Sequence, residues 1–384
     1  MSAAPSSVLP LGPSQSAPRD YPVLSSFPAV VREDLPEIAA ALGDAAQALA
    51  GRRVLITGAS GMLPAYLVDA LAYLNDARLL DTPCRIVLLA RSPERVAARL
   101  GHLRGRRDVE LVLADVRAEA ELGAAADYVV HAAAPAAPKD YFRDPVGSLD
   151  ANTGALRALL ERARHGRTKS FLYVSSSEVY GTPDPDCIPT PETYVGRIDP
   201  LARRAYYAEA KRAGETYCRA YHEQYGVPVK IARPFHVHGP GLRLDDGRVV
   251  AALIAMGLRG QPLALESDGR ATRTYGYILD ATISLLAILL SGFDGEAFNV
   301  GSDAPETSVL ELASEIASVF GQTEPVSVRA AGEAPGAVGS PQRACPDLGK
   351  LRRAFGLGPR IPLREGLRRT IAWCRRAEGA TCPV

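Results

Sequence analysis

Lysine is scarce in this chain of 384 residues. Only five of its 44 basic residues are lysines: Lys139, Lys169, Lys211, Lys230 and Lys350. Arginine carries the positive charge almost everywhere else, and arginine cannot give up its proton in a protein. A lysine that stands next to other reactive side chains is therefore a signal of chemistry in this sequence.

The net charge of the chain is small, +1 at neutral pH. The chain also lacks an apolar run long enough to span a bilayer. A balanced charge gives nucleic acids and anionic membranes no general attraction. The N-terminus does not have the basic-then-apolar order of a signal peptide. Six cysteines are scattered without C-x-x-C pairs, which favours reduced thiols over disulfides or zinc. We expect a cytoplasmic protein with no nucleic-acid, membrane or metal partner.

Strand-like and helix-like patterns alternate over most of the chain. Apolar strand patterns occur at 53–57, 85–91, 109–116, 126–134, just before 175, and 227–234. This alternation predicts an α/β fold, a Rossmann-type doubly wound parallel sheet with a smaller C-terminal mixed α/β lobe. The predicted divisions are a disordered tail at 1–30, a helical extension at 31–51, a dinucleotide-binding domain at 52–235 and a C-terminal lobe at 236–384.

A glycine-rich turn follows the first strand pattern. The segment "TGASGMLP" places Gly58 and Gly61 between a strand and a helix, where glycine lets the backbone approach a pyrophosphate at the helix N-terminus. Pro64 stands where a third glycine is usual. We predict cofactor contacts at Gly58, Gly61, Met62 and Ala132; the alternative is an ordinary glycine turn.

The end of the second strand pattern lacks the usual acid for an adenosine ribose. It carries Arg91 and Arg95 instead, in "LLARSPER". Arginine there suits the 2′-phosphate of NADP, although both side chains could equally be solvated. Asp115 and Val116, after the third strand, are predicted to bracket the adenine, with a simple turn residue as the alternative for Asp115.

Tyr207 and Lys211 form a Y-x-x-x-K pair in "YYAEAK". One helical turn separates them, so both project from the same face. A nearby lysine cation can lower the pKa of a tyrosine that serves as a base. The pair follows the serine-rich strand end "VSSSEVYG", which contains Ser176, by about 30 residues. Without that context it would read as an incidental pair on a surface helix.

Together these motifs resemble the extended short-chain dehydrogenase/reductases, and most of all the UDP-glucuronate decarboxylases (UDP-xylose synthases). The resemblance covers residues 50 to about 376 and rests on blocks in the same order: "HAAAPAAPKDYFRDPVGSLDANT", "VSSSEVYG", "YAEAKR", "GPGLRLDDGRVV" and "ATRTYGYILD". It implies NAD as the cofactor, NADP being the alternative that Arg91 raises. It also implies a UDP-sugar substrate and a homodimer.

Glu178 stands alone among hydroxyl side chains. Dehydratases of the dTDP-glucose type carry an Asp-Glu pair at this place, and here the Asp position is Ser177. The resemblance therefore implies that Ser176, Glu178, Tyr207 and Lys211 are catalytic. A β-keto acid loses carbon dioxide because the electron pair of the breaking bond flows into its ketone. A decarboxylase therefore needs only one acid at this place.

Two phosphates on the substrate call for arginines from the second lobe. By resemblance the predicted substrate contacts are Tyr141, Ser177, His236, Arg248, Arg273 and Arg343. His236 departs from the family, which usually has asparagine there. The expected activity is C4 oxidation of UDP-glucuronate followed by decarboxylation to UDP-4-keto-pentose or UDP-xylose. The alternatives are a sugar-nucleotide 4,6-dehydratase, then a 4-epimerase, and a non-catalytic dinucleotide sensor that would not need the intact catalytic set.

Overall fold

The computed structural model describes residues 27–118, 125–328 and 341–379. Most of the predicted tail lies outside these ranges. Its last residues do not: Phe27 is buried and the first helix begins at Ala29, slightly before the predicted start of the helical extension.

A seven-stranded parallel sheet forms the centre of the fold. Its strands are β1 (Arg53–Thr57), β2 (Arg85–Ala90), β3 (Val109–Leu113), β4 (Tyr128–His131), β5 (Ser170–Val174), β6 (Val229–Pro234) and β11 (Ala297–Val300). Their order across the sheet is β11-β6-β5-β4-β1-β2-β3, with every neighbouring pair parallel. The strand order reverses direction at β1, as in a doubly wound sheet. The predicted fold class is confirmed.

Helices cover both faces of this sheet and build the second lobe. They are α1 (Ala29–Leu42), α2 (Met62–Asp76), α3 (Pro93–Leu100), α4 (Pro138–Arg143), α5 (Pro145–Asn152), α6 (Gly154–His165), α7 (Ala205–Tyr225), α8 (Val249–Leu258), α9 (Ile278–Leu290), α10 (Val309–Phe320), α11 (Gly349–Phe355) and α12 (Leu363–Gly379). Short 3-10 helices lie at Gly43–Leu49, Gly101–Leu103, Ser177–Tyr180 and Pro185–Cys187.

The second lobe contains only two-residue strands. They are β7 (Val237–His238), β8 (Ala264–Leu265), β9 (Thr272–Arg273), β10 (Gly276–Tyr277), β12 (Thr307–Ser308), β13 (Ser327–Val328) and β14 (Arg343–Ala344). They pair as β10-β7, β12-β9-β14 and β13-β8. A separate apolar core underlies them, formed between α8, α10 and α12.

Strand β11 is the element that the sequence patterns do not reveal. It is only four residues long, and it adds beside β6 after the chain has passed through β7 to β10. The domain boundary predicted at 235 stays a prediction. The chain beyond it returns once to the sheet, as β11, before it re-enters the second lobe.

The longest apolar stretch lies in α9, whose residues Ile278 to Leu289 are all buried. No helix among the described residues combines the length and the apolar character that crossing a bilayer requires.

The N-terminal helix α1 is part of the main core. Val31, Leu35, Ile38 and Leu42 follow helical spacing and are almost fully buried against α2 and α9. Burial of each such side chain contributes roughly 1.5–3 kcal/mol. The extension is therefore an integral layer of the fold.

A buried carboxylate ties this helix to three other elements. Asp34 on α1 is fully buried and accepts hydrogen bonds from Tyr66 of α2, Tyr277 of β10 (2.7 Å) and Arg369 of α12. A buried carboxylate is tolerated only when it is paired and its oxygens are hydrogen-bonded. Asp34 thus joins the sheet layer to the second lobe.

Replacing Asp34 by asparagine should lower the free energy of unfolding by about 3 kcal/mol, because Arg369 loses its buried counter-charge and the two phenols lose an anionic acceptor. Glu33→Gln, an exposed change on the same helix, should have an effect within about 0.5 kcal/mol. Urea unfolding of both variants measures this. Equal stability of the two variants would contradict the assigned role of Asp34.

Candidate active site

The predicted cofactor turn lies at the carboxyl edge of β1. Gly58 has φ 68°, and a Cβ on it would lie 2.9 Å from the Cα of Ala133. Only glycine fits this close approach of two backbone segments. The Thr57 hydroxyl accepts hydrogen bonds from the backbone N–H groups of Ala132 and Ala133, which fixes the opposing segment.

Helix α2 begins directly behind this turn. Gly61 is its N-cap and Met62 its first residue, so the free N–H groups of its first turn face the carboxyl edge. Pro64 stands in the first turn, where it removes no intrahelical hydrogen bond. Its ring lies 3.1 Å from the position of a Cβ on Gly61. These residues form a cradle for a phosphate-bearing group.

The adenosine end carries paired charges. A guanidinium nitrogen of Arg91 lies 3.8 Å from the Asp115 carboxylate, and Arg117 lies 2.8 Å from the same carboxylate. The hydrogen bond from Arg117 holds the pKa of Asp115 at about 2. Val116 is buried and Arg95 is exposed. The charge of Arg91 is thus partly offset before any ligand arrives, which weakens the sequence argument for a 2′-phosphate.

Tyr207 and Lys211 project from α7 beneath the carboxyl end of β5. The Lys211 ammonium donates to the backbone carbonyl of Val174 at 2.7 Å and lies 5.8 Å from the centre of the Tyr207 ring. Tyr141 of α4 stacks on Tyr207 with ring centres 5.1 Å apart. The Ser176 side chain lies close enough to the Tyr207 hydroxyl to lower the pKa of the phenol. The structure brings these four predicted residues together.

Burial dominates the proton affinities of this pair. It lowers the pKa of Lys211 to about 7. It raises the pKa of the Tyr207 phenol, and the nearby charge of Glu178 adds to that rise while Ser176 opposes it. The protein alone therefore keeps Tyr207 protonated. The Y-x-x-x-K spacing predicts that Lys211 lowers the pKa of Tyr207. Lys211 alone does not produce this effect, because its ammonium donates to the Val174 carbonyl.

Glu178 lies in the 3-10 helix that follows β5, with Ser176 as its N-cap. Its carboxylate forms an ion pair with Arg204 at 2.8 Å, and both side chains are largely buried. Sequence reasoning missed Arg204. The available signal was its position three residues before Tyr207, which places both near one face at the start of α7.

A small cavity opens in front of Glu178. Its lining residues are Ser177, Glu178, Tyr180, Gly181, Pro183, Thr190, Arg204, Phe235, His236, Arg273, Pro341 and Ala344. Three of the predicted substrate residues are therefore in its wall: Ser177, His236 and Arg273. The His236 Nδ1 and the Thr190 hydroxyl are buried without a hydrogen-bond partner among the described residues.

Arg273 is a buried cation in this wall. It is 8% exposed and donates only to backbone carbonyls, those of Thr272 and Pro341. No carboxylate within the described ranges comes within ion-pair distance of it. Burial lowers the pKa of Arg273. Burial also lowers the pKa of His236 to about 3, and the charge of Arg273 adds to that effect. His236 is thus a neutral ring beside a buried guanidinium.

The two other predicted arginines lie elsewhere. Arg248 precedes α8 and pairs with buried Asp246 at 2.7 Å, close enough to lower the pKa values of His236 and Tyr207. Arg343 is exposed, pairs with Glu306 at 2.7 Å and lines a neighbouring open groove rather than the cavity.

No group of three or more His, Cys, Asp or Glu side chains suited to a metal ion occurs within the described ranges.

Residues 54–301 match the model of the NAD dependent epimerase/dehydratase family. The chain is 33% identical over 326 residues to UDP-glucuronic acid decarboxylase 1 of Xenopus tropicalis, covering 85% of this chain and 72% of that protein. It is 34% identical over 321 residues to UDP-glucuronic acid decarboxylase 3 of Arabidopsis thaliana, covering 82% and 86%. Among solved structures it resembles the dTDP-glucose 4,6-dehydratase DesIV of Streptomyces venezuelae with NAD and TYD bound, with a TM-score of 0.73, 26% identity and coverage of 85% and 98%.

The Glu178–Arg204 ion pair can be tested by a double-mutant cycle of Glu178→Gln and Arg204→Gln. Each single change removes one member of a largely buried ion pair, so the two should couple by about 1–3 kcal/mol in the free energy of unfolding. Arg219→Gln combined with Glu178→Gln is the control, since Arg219 on the same helix pairs with Glu223 instead. Additive effects of Glu178→Gln and Arg204→Gln would show that the pair is not formed in solution.

Proposed function

Because this chain belongs to the NAD dependent epimerase/dehydratase family, we propose that it oxidises C4 of UDP-glucuronate and decarboxylates the product to UDP-4-keto-pentose, UDP-xylose or both. The observation that carries this proposal is Arg273. A buried guanidinium without a carboxylate partner is costly unless an anionic group joins it. The cavity therefore suits a sugar that bears a carboxylate.

The cradle at Gly58 and Gly61 fits a dinucleotide. Gly58 leaves no room for a side chain and Gly61 leaves little, and the N-terminus of α2 supplies N–H donors for a pyrophosphate. Met62 and Ala132 border this cradle, and Asp115 and Val116 lie at its adenosine end. When bound there, NAD accepts a hydride from the sugar and can return it. The Asp115 carboxylate beside Arg91 favours NAD over NADP, because a 2′-phosphate would have to compete with it.

Proton transfer at the sugar 4-hydroxyl is assigned to Tyr207. Ser176 lies beside the Tyr207 hydroxyl, so both hydroxyls can hydrogen-bond the same sugar oxygen. Lys211 lies behind the ring and supplies a positive charge that favours the phenolate. Tyr141 stacks on the ring and restricts its orientation. The positive charge of a bound nicotinamide adds to that of Lys211 and would offset the burial that raises the pKa of Tyr207.

The decarboxylation step needs few protein groups. The bond between C5 and the carboxyl carbon breaks, its electron pair flows into the C4 ketone, and carbon dioxide leaves. C5 then gains one proton. Glu178 lines the cavity and is held by Arg204, so it is placed to manage that proton, while Arg273 orients the carboxylate before it leaves. Ser177, in the position that is acidic in a dehydratase, offers no second acid, which favours loss of carbon dioxide over loss of water.

The remaining substrate contacts are assigned by position. Ser177 and His236 line the cavity, and Arg248, the residue before α8, lies close enough to His236 for its charge to lower the pKa of that ring. Arg343 is a weaker candidate because Glu306 already neutralises it outside the cavity.

Incubation of the purified protein with UDP-glucuronate and NAD should yield UDP-xylose, lighter than the substrate by the mass of carbon dioxide, or UDP-4-keto-pentose, lighter by two further hydrogens and accompanied by NADH. Mass spectrometry distinguishes the two products. Arg273→Gln should lower kcat/KM by on the order of 100-fold, since the substrate carboxylate loses its buried partner. Binding of UDP-glucose, whose sugar carries no carboxylate, should change little in this variant. Arg270→Gln, a change of an 87% exposed arginine nearby, is the matched control.

Two results would overturn this assignment. Unchanged UDP-glucuronate in the presence of NAD would exclude the decarboxylase. Loss of the mass of water from a neutral hexose nucleotide would favour a 4,6-dehydratase, and a change in retention without a mass change would favour a 4-epimerase.

We also propose a homodimer formed through α5 and α7, and a cytoplasmic location, where the free thiols of the described cysteines would stay reduced. The two helices pack on each other, and each exposes two apolar side chains: Val146 and Leu149 on α5, Tyr206 and Tyr217 on α7. An apolar patch of this kind is typical of a protein interface.

Light scattering should therefore give twice the chain mass for the wild type. The combined change of Leu149→Glu and Tyr217→Glu should give the single mass, because two charges would be buried in the interface. Val195→Glu, at an 80% exposed valine outside both helices, should leave the dimer intact. A wild type of single mass would exclude the dimer.

A further inference from the structure

A second buried ion pair lies directly behind the catalytic residues. Glu215 is on α7, one helical turn beyond Lys211, and Arg233 is on β6; their side chains are 13% and 14% exposed. Arg233 donates to Glu215 through Nε at 2.9 Å and through Nη2 at 2.6 Å. Neither residue touches the cavity, so the pair needs a different explanation from Arg204 and Glu178.

Glu215 also holds the end of β5. Its Oε1 accepts a hydrogen bond from the Ser175 hydroxyl at 2.6 Å. Ser175 immediately precedes Ser176, the N-cap of the 3-10 helix that carries Glu178. The start of the catalytic turn is thereby fixed to the helix that carries Tyr207.

Arg233 holds the other end of the same turn. Its Nη1 donates to the Tyr180 hydroxyl at 2.9 Å, and the Tyr180 hydroxyl donates to Asn299 of β11 at 2.7 Å. The turn from Ser176 to Tyr180 is therefore bound at both ends by one ion pair, through Ser175 before it and Tyr180 after it.

The charge of Glu215 bears on Lys211 as well. Burial lowers the pKa of Lys211 to about 7, and Glu215 is the strongest group that opposes this lowering. The other titratable groups around the ammonium come from β4, β5 and α7: His131, Tyr173, Tyr207 and Cys218. Burial keeps His131 neutral and the other three protonated. Glu215 is the one carboxylate among these groups.

We propose that Glu215 is a positioning residue with two tasks: it fixes the turn that carries Ser176 and Glu178 against α7, and it supplies the negative charge that keeps Lys211 protonated. Arg233 moderates the second task because it shares the carboxylate. The inference rests on the proposed function only in treating Tyr207 and Lys211 as the reacting pair. It extends that function to a residue outside the cavity.

The two members of the ion pair should shift the Lys211 titration in opposite directions. Glu215→Gln removes the negative charge and leaves Arg233 unneutralised, so the pKa of Lys211 should fall by about one unit. Arg233→Gln frees the carboxylate from its partner, so the pKa of Lys211 should rise. A residue with a merely structural role would not produce shifts of opposite sign.

The scarcity of lysine makes this measurable without substrate. In protein grown with lysine labelled with carbon-13 at Cε, the five lysines give at most five NMR signals, and Lys211→Met identifies the one of interest. Its titration is followed from about pH 5 to 9 in wild type, Glu215→Gln and Arg233→Gln. Glu306→Gln is the control, because Glu306 also pairs with an arginine but is absent from the surroundings of Lys211. A Lys211 titration that is the same in wild type and Glu215→Gln would overturn the electrostatic task.

The positioning task has its own test. Ser175→Ala removes one hydrogen bond and no charge, so it should leave the Lys211 titration unchanged. It should speed amide hydrogen exchange at least several-fold in the peptide covering 176–181, with β2 unchanged as the internal control. Wild-type exchange in that peptide would overturn this task. Should Glu215→Gln fail to fold, Ser175→Ala and Arg233→Gln still decide the two tasks separately. Because neither readout uses UDP-glucuronate, failure of the decarboxylase assay would not be confused with failure of this inference.

Discussion

Parallel hydrogen bonding between strands is the constraint on which this structure depends. Because β1, β4, β5 and β6 run in the same direction, their carboxyl ends meet at one edge of the sheet. The glycine turn, the Ala132 segment, the Ser176 turn and the approach to His236 all follow those ends. The hydrophobic strands thereby bring distant polar segments into one site without any direct attraction between them.

The second lobe is held over that edge in part by hydrogen bonds and an ion pair to a buried carboxylate. Asp34 connects α1 with α2, β10 and α12, so the same carboxylate contacts the helix of the cofactor cradle and the last helix of the chain. An incorrect docking of the lobe would leave that carboxylate without Arg369, which would keep only Glu365 of its own helix as a partner. Desolvated ion pairs of this kind specify one arrangement more than they add stability.

Most buried charged side chains in and around the site form ion pairs with one another. Glu178 has Arg204, Glu215 has Arg233, Arg248 has Asp246, and Arg91 shares Asp115. Two buried cations of the site differ, because within the described ranges Arg273 and Lys211 donate hydrogen bonds only to backbone carbonyls. Of the two, Arg273 is the one that lines the cavity.

Local patterns in the sequence determined the fold class, the glycine cradle and the Tyr207–Lys211 pair. Strand and helix periodicities, a turn that requires glycine, and two side chains one helical turn apart depend on residues close together in the chain. Only the tertiary structure decided that Arg204 pairs with Glu178, 26 residues away, and that Glu215 joins Arg233. It also decided that β11 completes the sheet, that Arg343 lies outside the cavity, and that Arg273 has no counter-ion among the described residues. The physical reason is that an ion pair or a strand pairing depends on where the chain returns in space, and with 39 arginines in the sequence no local feature marks which one is left unpaired.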